Sequence, residues 1–169
     1  MTTPYSPNVG LLANLPTDLR VLIDEASLLK LTLHSAAEAE GIKPISGTVG
    51  RVRWSGPMML TLISYSYVIG IYGSRDIESA ITKDKTLRYI CARQYPTWEE
   101  IRRFRRLNRD CVQRTLASVL TQVCVHYFWP NYPDVAAHVA PADIDEQIRL
   151  AALGRIETAI IMDAVDSEV

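Results

Sequence analysis

Cysteine and long apolar runs are both scarce in this sequence. The three cysteines, Cys91, Cys111 and Cys124, form no CxxC pair. Their odd number and apolar neighbours predict reduced, mostly buried thiols in a cytoplasmic protein. The most apolar run, Met58 to Tyr72, is interrupted by polar residues and glycine. It is too short and too polar to span a bilayer, so no membrane partner is expected.

Patterns typical of catalytic and metal sites are also missing. His34, His126 and His138 are far apart and lack metal-ligand spacing. The run Gly70-Ile71-Tyr72-Gly73 is not followed by the lysine of a phosphate-binding loop. The local sequence suggests no Ser-His-Asp set. We therefore predict a protein that is not an enzyme and that uses no metal and no cofactor.

Charge is distributed unevenly along the chain, although the net charge is only −1. Residues 1–50 carry 3 basic and 5 acidic side chains, residues 51–114 carry 13 and 6, and residues 115–169 carry 2 and 8. The central third therefore has a net charge of +7 and lies between two acidic ends. Such a block indicates either a surface that binds a polyanion or an arginine-rich face that contacts only water.

The apolar periodicity predicts an all-α protein, a small helical bundle with a helix-turn-helix-like core and a C-terminal helical extension. One domain is expected over residues 1–123, with an arm and first helix over 1–40, a loop over 41–56 and a helical core over 57–123. Residues 124–169 are expected to form an aromatic, proline-broken connector and an acidic helix. Caps and breakers predict helices from Thr17 or Asp18 to about Glu40, where Gly41 stops the helix, from Met58 to Ile69, after an N-cap at Ser74, and after Asp84.

The most informative helix is predicted from Trp98 onward. Thr97 lies three residues before Glu100, which is the spacing of a capping box. At about 100° per residue, one face is apolar and consists of Ile101, Phe104, Leu107, Cys111 and Val112. The other face carries Arg102, Arg103, Arg105, Arg106 and Arg109. Because this face has no acid, we interpret it as an outward surface for DNA phosphates and guanine edges rather than a merely solvated face.

An ordered series of short motifs resembles the N-terminal domain of bacterial insertion-sequence transposases of the DDE type. The series consists of Pro57-Met58-Met59-Leu60, Tyr67, Gly70, Ser74-Arg75, Ile77-Glu78, Ala80, Asp84, Arg88-Tyr89, Gln94, Pro96 and Ile101-x-x-Phe104-Arg105. The resemblance covers about residues 50–123. It implies a helical domain whose helix-turn-helix-like part binds double-stranded DNA at terminal inverted repeats.

On this interpretation the arginine face contacts DNA, and arginines outside it add further contacts. Arg75, Arg88 and Arg93 are expected to clamp phosphates. Arg51 and Arg53, beside Trp54, are expected to reach a neighbouring groove or stack on a base. A tryptophan that only covers the bundle is the alternative at Trp54. DNA binding would also place the cytoplasmic protein at the nucleoid.

The chain departs from the transposase pattern in two places. Glu100 stands where the family often has threonine. After Val123 only 46 residues remain, with no alternating strands to carry the three carboxylates of a two-metal catalytic site. The prediction is therefore a truncated or domesticated transposase-like DNA-binding module without strand-transfer activity.

The last third predicts a helix from Pro141 to about Val165. Its inward stripe is expected to consist of Ile144, Ile148, Ala152, Ile156 and Ile160. Its wide apolar surface suits packing on its own domain or pairing with a second copy as a homodimer. Its acidity suggests a shield over the arginine face. The alternative function is a protein-interaction or assembly module that uses this acidic helix.

Overall fold

The computed structural model describes residues 14–45, 54–131 and 141–167, together with positions 12 and 133. Within these residues the protein is all α-helical, as the sequence predicts, and has no strand. The α-helices are α1 (Glu25–Ile42), α2 (Gly56–Val68), α3 (Ser74–Ile81), α4 (Lys85–Cys91), α5 (Trp98–Leu107), α6 (Arg109–Val123) and α7 (Pro141–Ser167). Shorter turns are a 3-10 turn at Leu19–Val21, a π-helical turn at Cys124–Phe128 and a 3-10 turn at Trp129–Asn131.

Helix α2 is the central helix of the bundle. Its N-cap residue is Ser55, whose side chain accepts a hydrogen bond from the backbone N–H of Met58 at 3.2 Å. Every residue from Met59 to Val68 is buried, and α1, α4 and α6 pack around it. The helix predicted over Met58 to Ile69 is thus confirmed, and its burial on all sides fits its apolar sequence. Each fully buried leucine or isoleucine here stabilises the fold by about 1.5–3 kcal/mol.

The turn after α2 requires glycine at position 70. Gly70 has a φ of +87°, in the left-handed region. A Cβ atom there would lie 2.9 Å from Cγ2 of Thr17, so the N-terminal segment passes directly over this turn. The chain therefore leaves α2 in a conformation that only glycine adopts without strain.

Helix α1 begins later than predicted and continues past Gly41, its predicted stop, to Ile42. Asp24 is its N-cap residue and accepts from the backbone N–H of Ser27 at 2.9 Å. Upstream, Asp18 caps the separate turn at Leu19–Val21 and accepts from the N–H of Arg20 at 2.9 Å. The continuous helix predicted from Thr17 or Asp18 was wrong because two aspartates, six residues apart, each cap a helix of their own.

Helix α7 packs against α6 and α3. Its buried apolar face consists of Ile148, Ala152, Ile156 and Ala159. Ile160, predicted to point inward, is 38% exposed. On a helix of 3.6 residues per turn, a residue four positions later is rotated by about 40°. Residues that recur strictly every fourth position therefore move gradually around the helix and off its buried face.

All three cysteines are buried and free, which confirms the predicted burial. The Sγ–H of Cys111 donates to the carbonyl of Lys43 at 3.1 Å. The predicted division of the chain after residue 123 remains a prediction; at that point α6 continues into the π-helical turn.

Candidate nucleic-acid interface

The N-terminus of α5 is fixed by a capping box, as predicted. The N–H of Thr97 donates to Oε2 of Glu100 at 2.9 Å, and the N–H of Glu100 donates to Oγ1 of Thr97 at 3.3 Å. Glu78 of α3 also accepts a hydrogen bond from the N–H of Trp98. The beginning of α5 is therefore held both locally and by α3.

Arg75 of α3, predicted to clamp a phosphate, lies on the first residue of α5. Its guanidinium carbon is 4.3 Å from the centroid of the Trp98 ring, which is a cation–π contact. Such contacts at exposed sites contribute about 0.5–1 kcal/mol. Arg75 remains exposed, so its charge still faces solvent.

The predicted helix from Trp98 through Val112 is broken at Asn108. This residue has φ −123° and ψ 32°, and its N–H bonds to the carbonyl of Phe104 at 2.9 Å. Cys111 and Val112 therefore belong to α6, which begins at Arg109. Leu107, predicted to be buried, is 49% exposed, because it lies about 120° from Ile101 on the helix and so leaves the buried face.

Arg105 does not face solvent, and this part of the predicted arginine face was wrong. Only 3% of the residue is exposed. Its Nη1 forms an ion pair with Asp163 of α7. Burial acts to lower the pKa of Arg105, but Tyr67 and Asp163 beside it outweigh this and raise it, so the guanidinium stays charged. Arg105 is buried because α7 supplies a carboxylate at this point, and it has no surface to offer to DNA.

Asp163 also binds the beginning of α3. Its Oδ1 accepts from the backbone N–H of Ser74 at 2.7 Å, and its Oδ2 accepts from the Ser74 hydroxyl at 2.8 Å. Ser74 is the first residue of α3, and the N-cap is Gly73, so the predicted N-cap at Ser74 was wrong. As the first residue of α3, Ser74 has an N–H with no partner inside the helix, and a carboxylate from α7 accepts its hydrogen bond.

Arg102 is half-buried and donates from Nη1 to the hydroxyl of Ser167 on α7 at 2.9 Å. The predicted shielding of the arginine face by the C-terminal helix thus affects Arg102 and Arg105. Arg103 and Arg106 on α5, and Arg109 at the start of α6, remain exposed.

Six of the predicted DNA-binding residues are exposed arginines. They are Arg75, Arg88, Arg93, Arg103, Arg106 and Arg109. None of the six forms an ion pair with any residue that the structure describes. Arg93 follows the left-handed end of α4, itself has a φ of 70° and is exposed in the turn between α4 and α5.

Arg51 and Arg53 lie outside the described residues. Trp54, beside them, contacts Phe104 edge-on with ring centroids 5.5 Å apart. Of the two interpretations of Trp54, this contact favours the one in which it covers the bundle.

The sequence interpretation missed two buried charged residues on α7, Asp163 and Arg155. The Arg155 guanidinium donates to the carbonyls of Tyr67 at 2.6 Å, Thr17 at 2.8 Å and Pro16 at 3.1 Å. Burial lowers its pKa. Arg155 lies three residues after Ala152, and Asp163 lies four residues after Ala159, so both continue the buried stripe of α7. A charged residue within an apolar stripe was the sequence signal that could have predicted a buried ion.

Among the residues that the structure describes, no group of three or more histidine, cysteine, aspartate or glutamate side chains is arranged to hold a metal ion. No helix in the same part of the chain has the length and apolar character to cross a membrane. Comparison with models of known protein families, with curated proteins and with solved structures gives no match.

Proposed function

We propose that this protein binds double-stranded DNA through the exposed arginines of α5 and the start of α6. The observation that carries the proposal is that Arg103, Arg106 and Arg109 are exposed and have no ion-pair partner among the described residues. Unpaired guanidinium groups retain the capacity to donate two parallel hydrogen bonds to a phosphate or to a guanine edge.

The charge of the surrounding elements supports the same partner. Residues 54–114, which span α2 to the first part of α6, carry 11 basic and 6 acidic side chains. One of these basic groups, Arg105, is neutralised inside the bundle. The excess that remains belongs to exposed side chains, and a basic surface of this kind attracts a polyanion.

In the proposed complex α3, α4 and α5 act as a helix-turn-helix-like unit, with α5 presented to the DNA. Arg103 and Arg106 are three residues apart and so lie on one side of α5. Arg75, Arg88 and Arg93 are the phosphate contacts of the neighbouring elements. Recognition of terminal inverted repeats, and descent from a transposase without strand transfer, are the finer forms of this proposal and depend on the resemblance of residues 50–123.

The test compares duplex DNA binding by the wild type and by the double variant Arg103→Ala/Arg106→Ala. Removal of two phosphate contacts is expected to weaken binding and to reduce the slope of log K against log salt by about 2. Because both residues are exposed, the circular dichroism spectrum and the melting temperature should not change.

Two further variants sharpen this test. Lys30→Ala removes an exposed charge from α1, which contributes no residue to the proposed surface, and should bind like the wild type. Arg103→Lys/Arg106→Lys keeps the charge but loses the planar fork. It should retain affinity for random duplexes and lose preference for an enriched sequence if these arginines read bases. Equal binding by wild type and alanine variant contradicts the proposal.

The second candidate is a protein-interaction module that uses α7. Leu150, Ile161 and Val165 are all exposed, and they lie within about 60° of one another on the helix. The acid Glu157 lies beside this stripe. A second copy of the chain, forming a homodimer, is the occupant expected in this case. Light scattering distinguishes the candidates, since Ile161→Glu would abolish a dimer and leave DNA binding by α5 unchanged.

A further inference from the structure

We propose that the groove between α6 and α7, lined by Arg114 and Arg149, is a second contact site for the phosphodiester backbone of the same duplex. The groove has a volume of about 370 Å³ and is also lined by Asp110, Gln113 and Ala117. Asp110, Arg114 and Arg149 are exposed, so the groove is open to solvent. This inference rests on the proposed function and adds a site outside the predicted arginine face.

Two carboxylates contact or neighbour the groove, and each has a cation of its own: Asp110 lines the groove, and Glu146 lies one turn before Arg149 on α7. Lys43 donates to Asp110 at 2.6 Å, and this bond holds the pKa of Asp110 below its ordinary value. Arg149 donates to both oxygens of Glu146 at 2.9 and 2.7 Å, which lowers the pKa of Glu146. Both acids are therefore ionised and already neutralised.

Arg114 is the cation left without a partner. It forms no ion pair with a described residue, and it lies close enough to Asp110 to lower that pKa further, as Arg109 does. The side chains that line the groove include two cations, Arg114 and Arg149, and one carboxylate, Asp110, so the lining has an excess of positive charge. An anion that enters the groove is attracted by this excess charge. It can bind Arg114 without breaking the Lys43–Asp110 pair or the Arg149–Glu146 pair.

Arg109 and Arg114 both belong to α6 and are five residues apart, which is about 7.5 Å along the helix axis and about 140° around it. The two side chains therefore leave α6 on different sides, so Arg114 adds a contact beside the arginines of α5 and the start of α6. Arg109 ends the surface formed by α5, and Arg114 begins the groove. The amide of Gln113, between them in sequence, adds an uncharged donor.

The test measures duplex binding across a salt series for Arg114→Ala, Arg149→Ala and Glu146→Gln. Each arginine variant should lower the salt slope by about 1 and weaken binding at 0.1 M salt by about eightfold, for random and selected sequences alike. Glu146→Gln should do the opposite and tighten binding, because it removes a negative charge beside Arg149 that repels a phosphate. Melting temperatures and the Lys30→Ala variant serve as controls.

The outcomes separate this inference from the proposed function. Reduced binding by Arg114→Ala together with tighter binding by Glu146→Gln supports the groove. If the wild type binds DNA and Arg103→Ala/Arg106→Ala weakens it, but the groove variants bind normally, the groove is rejected and the α5 surface stands. If the wild type does not bind duplex DNA even at low salt, both proposals are rejected.

Discussion

At the scale of single residues, the bundle depends on charged side chains placed inside its apolar core. Asp163 pairs with Arg105 and accepts both hydrogen bonds from Ser74. Arg155 donates to three backbone carbonyls from the N-terminal segment and the end of α2. Buried charges are costly unless they are compensated. Asp163 has an ion pair as well as hydrogen bonds, whereas Arg155 is held by hydrogen bonds to neutral oxygens alone.

Asp163→Ala is expected to destabilise the protein by about 3–5 kcal/mol, because it leaves the buried charge of Arg105 uncompensated. Urea denaturation measures this change. Glu157→Ala, an exposed acid on the same helix, is the matched control and should cost little. The double variant Arg105→Met/Asp163→Ala should be less destabilised than the sum of the two single changes, since no unpaired charge remains. Strict additivity would show that the pair is not coupled.

Thiol reactivity tests burial at another set of residues. Burial raises the pKa of Cys91 to about 11 and that of Cys124 to about 12. The thiolate is the reactive form, so at pH 8 few thiolates are present in the folded state. We expect slow reaction with an aromatic disulfide reagent at pH 8, faster reaction as the pH rises, and rapid reaction of all three cysteines in urea. Fast labelling of the folded protein at pH 8 would contradict the observed packing.

At the scale of helices, local signals could be predicted and long-range ones could not. The capping box at Thr97 and Glu100 depends on four consecutive residues, so the sequence sufficed. Arg105 is four residues after Ile101 and therefore only about 40° from it on the helix. Its charge alone suggested solvent, whereas its partner Asp163 lies 58 residues later. The break at Asn108 was missed for a related reason, because the apolar residues after it continue the same periodicity.

Thr97→Ala is expected to lower stability by about 1 kcal/mol, since it removes the side-chain acceptor at the start of α5. Thr97→Ser keeps the hydroxyl, and Glu100→Gln keeps an acceptor for the Thr97 N–H, so both should remain close to the wild type. Thermal or urea unfolding measures all three variants. An unchanged stability in Thr97→Ala would mean that Glu78, which binds the Trp98 N–H, is sufficient to hold this end of the helix.

At the scale of the whole molecule, the separation of charge along the chain is reflected in three dimensions. The acidic C-terminal helix takes up Arg105 and contacts Arg102, while the arginines at the junction of α5 and α6 remain exposed. The charge pattern predicted a working surface, but its extent required the fold. Only the packing of α7 beside α6 brings Arg114 and Arg149 to one groove, from positions 35 residues apart.

The most direct test of the account is the salt dependence of duplex DNA binding by the unmodified protein. If Arg103, Arg106 and Arg109 each neutralise a phosphate, log K should fall linearly with log salt with a slope of about −3 or steeper. Binding that is weak or absent at low salt, or that does not change with salt, would contradict a function based on the exposed arginines.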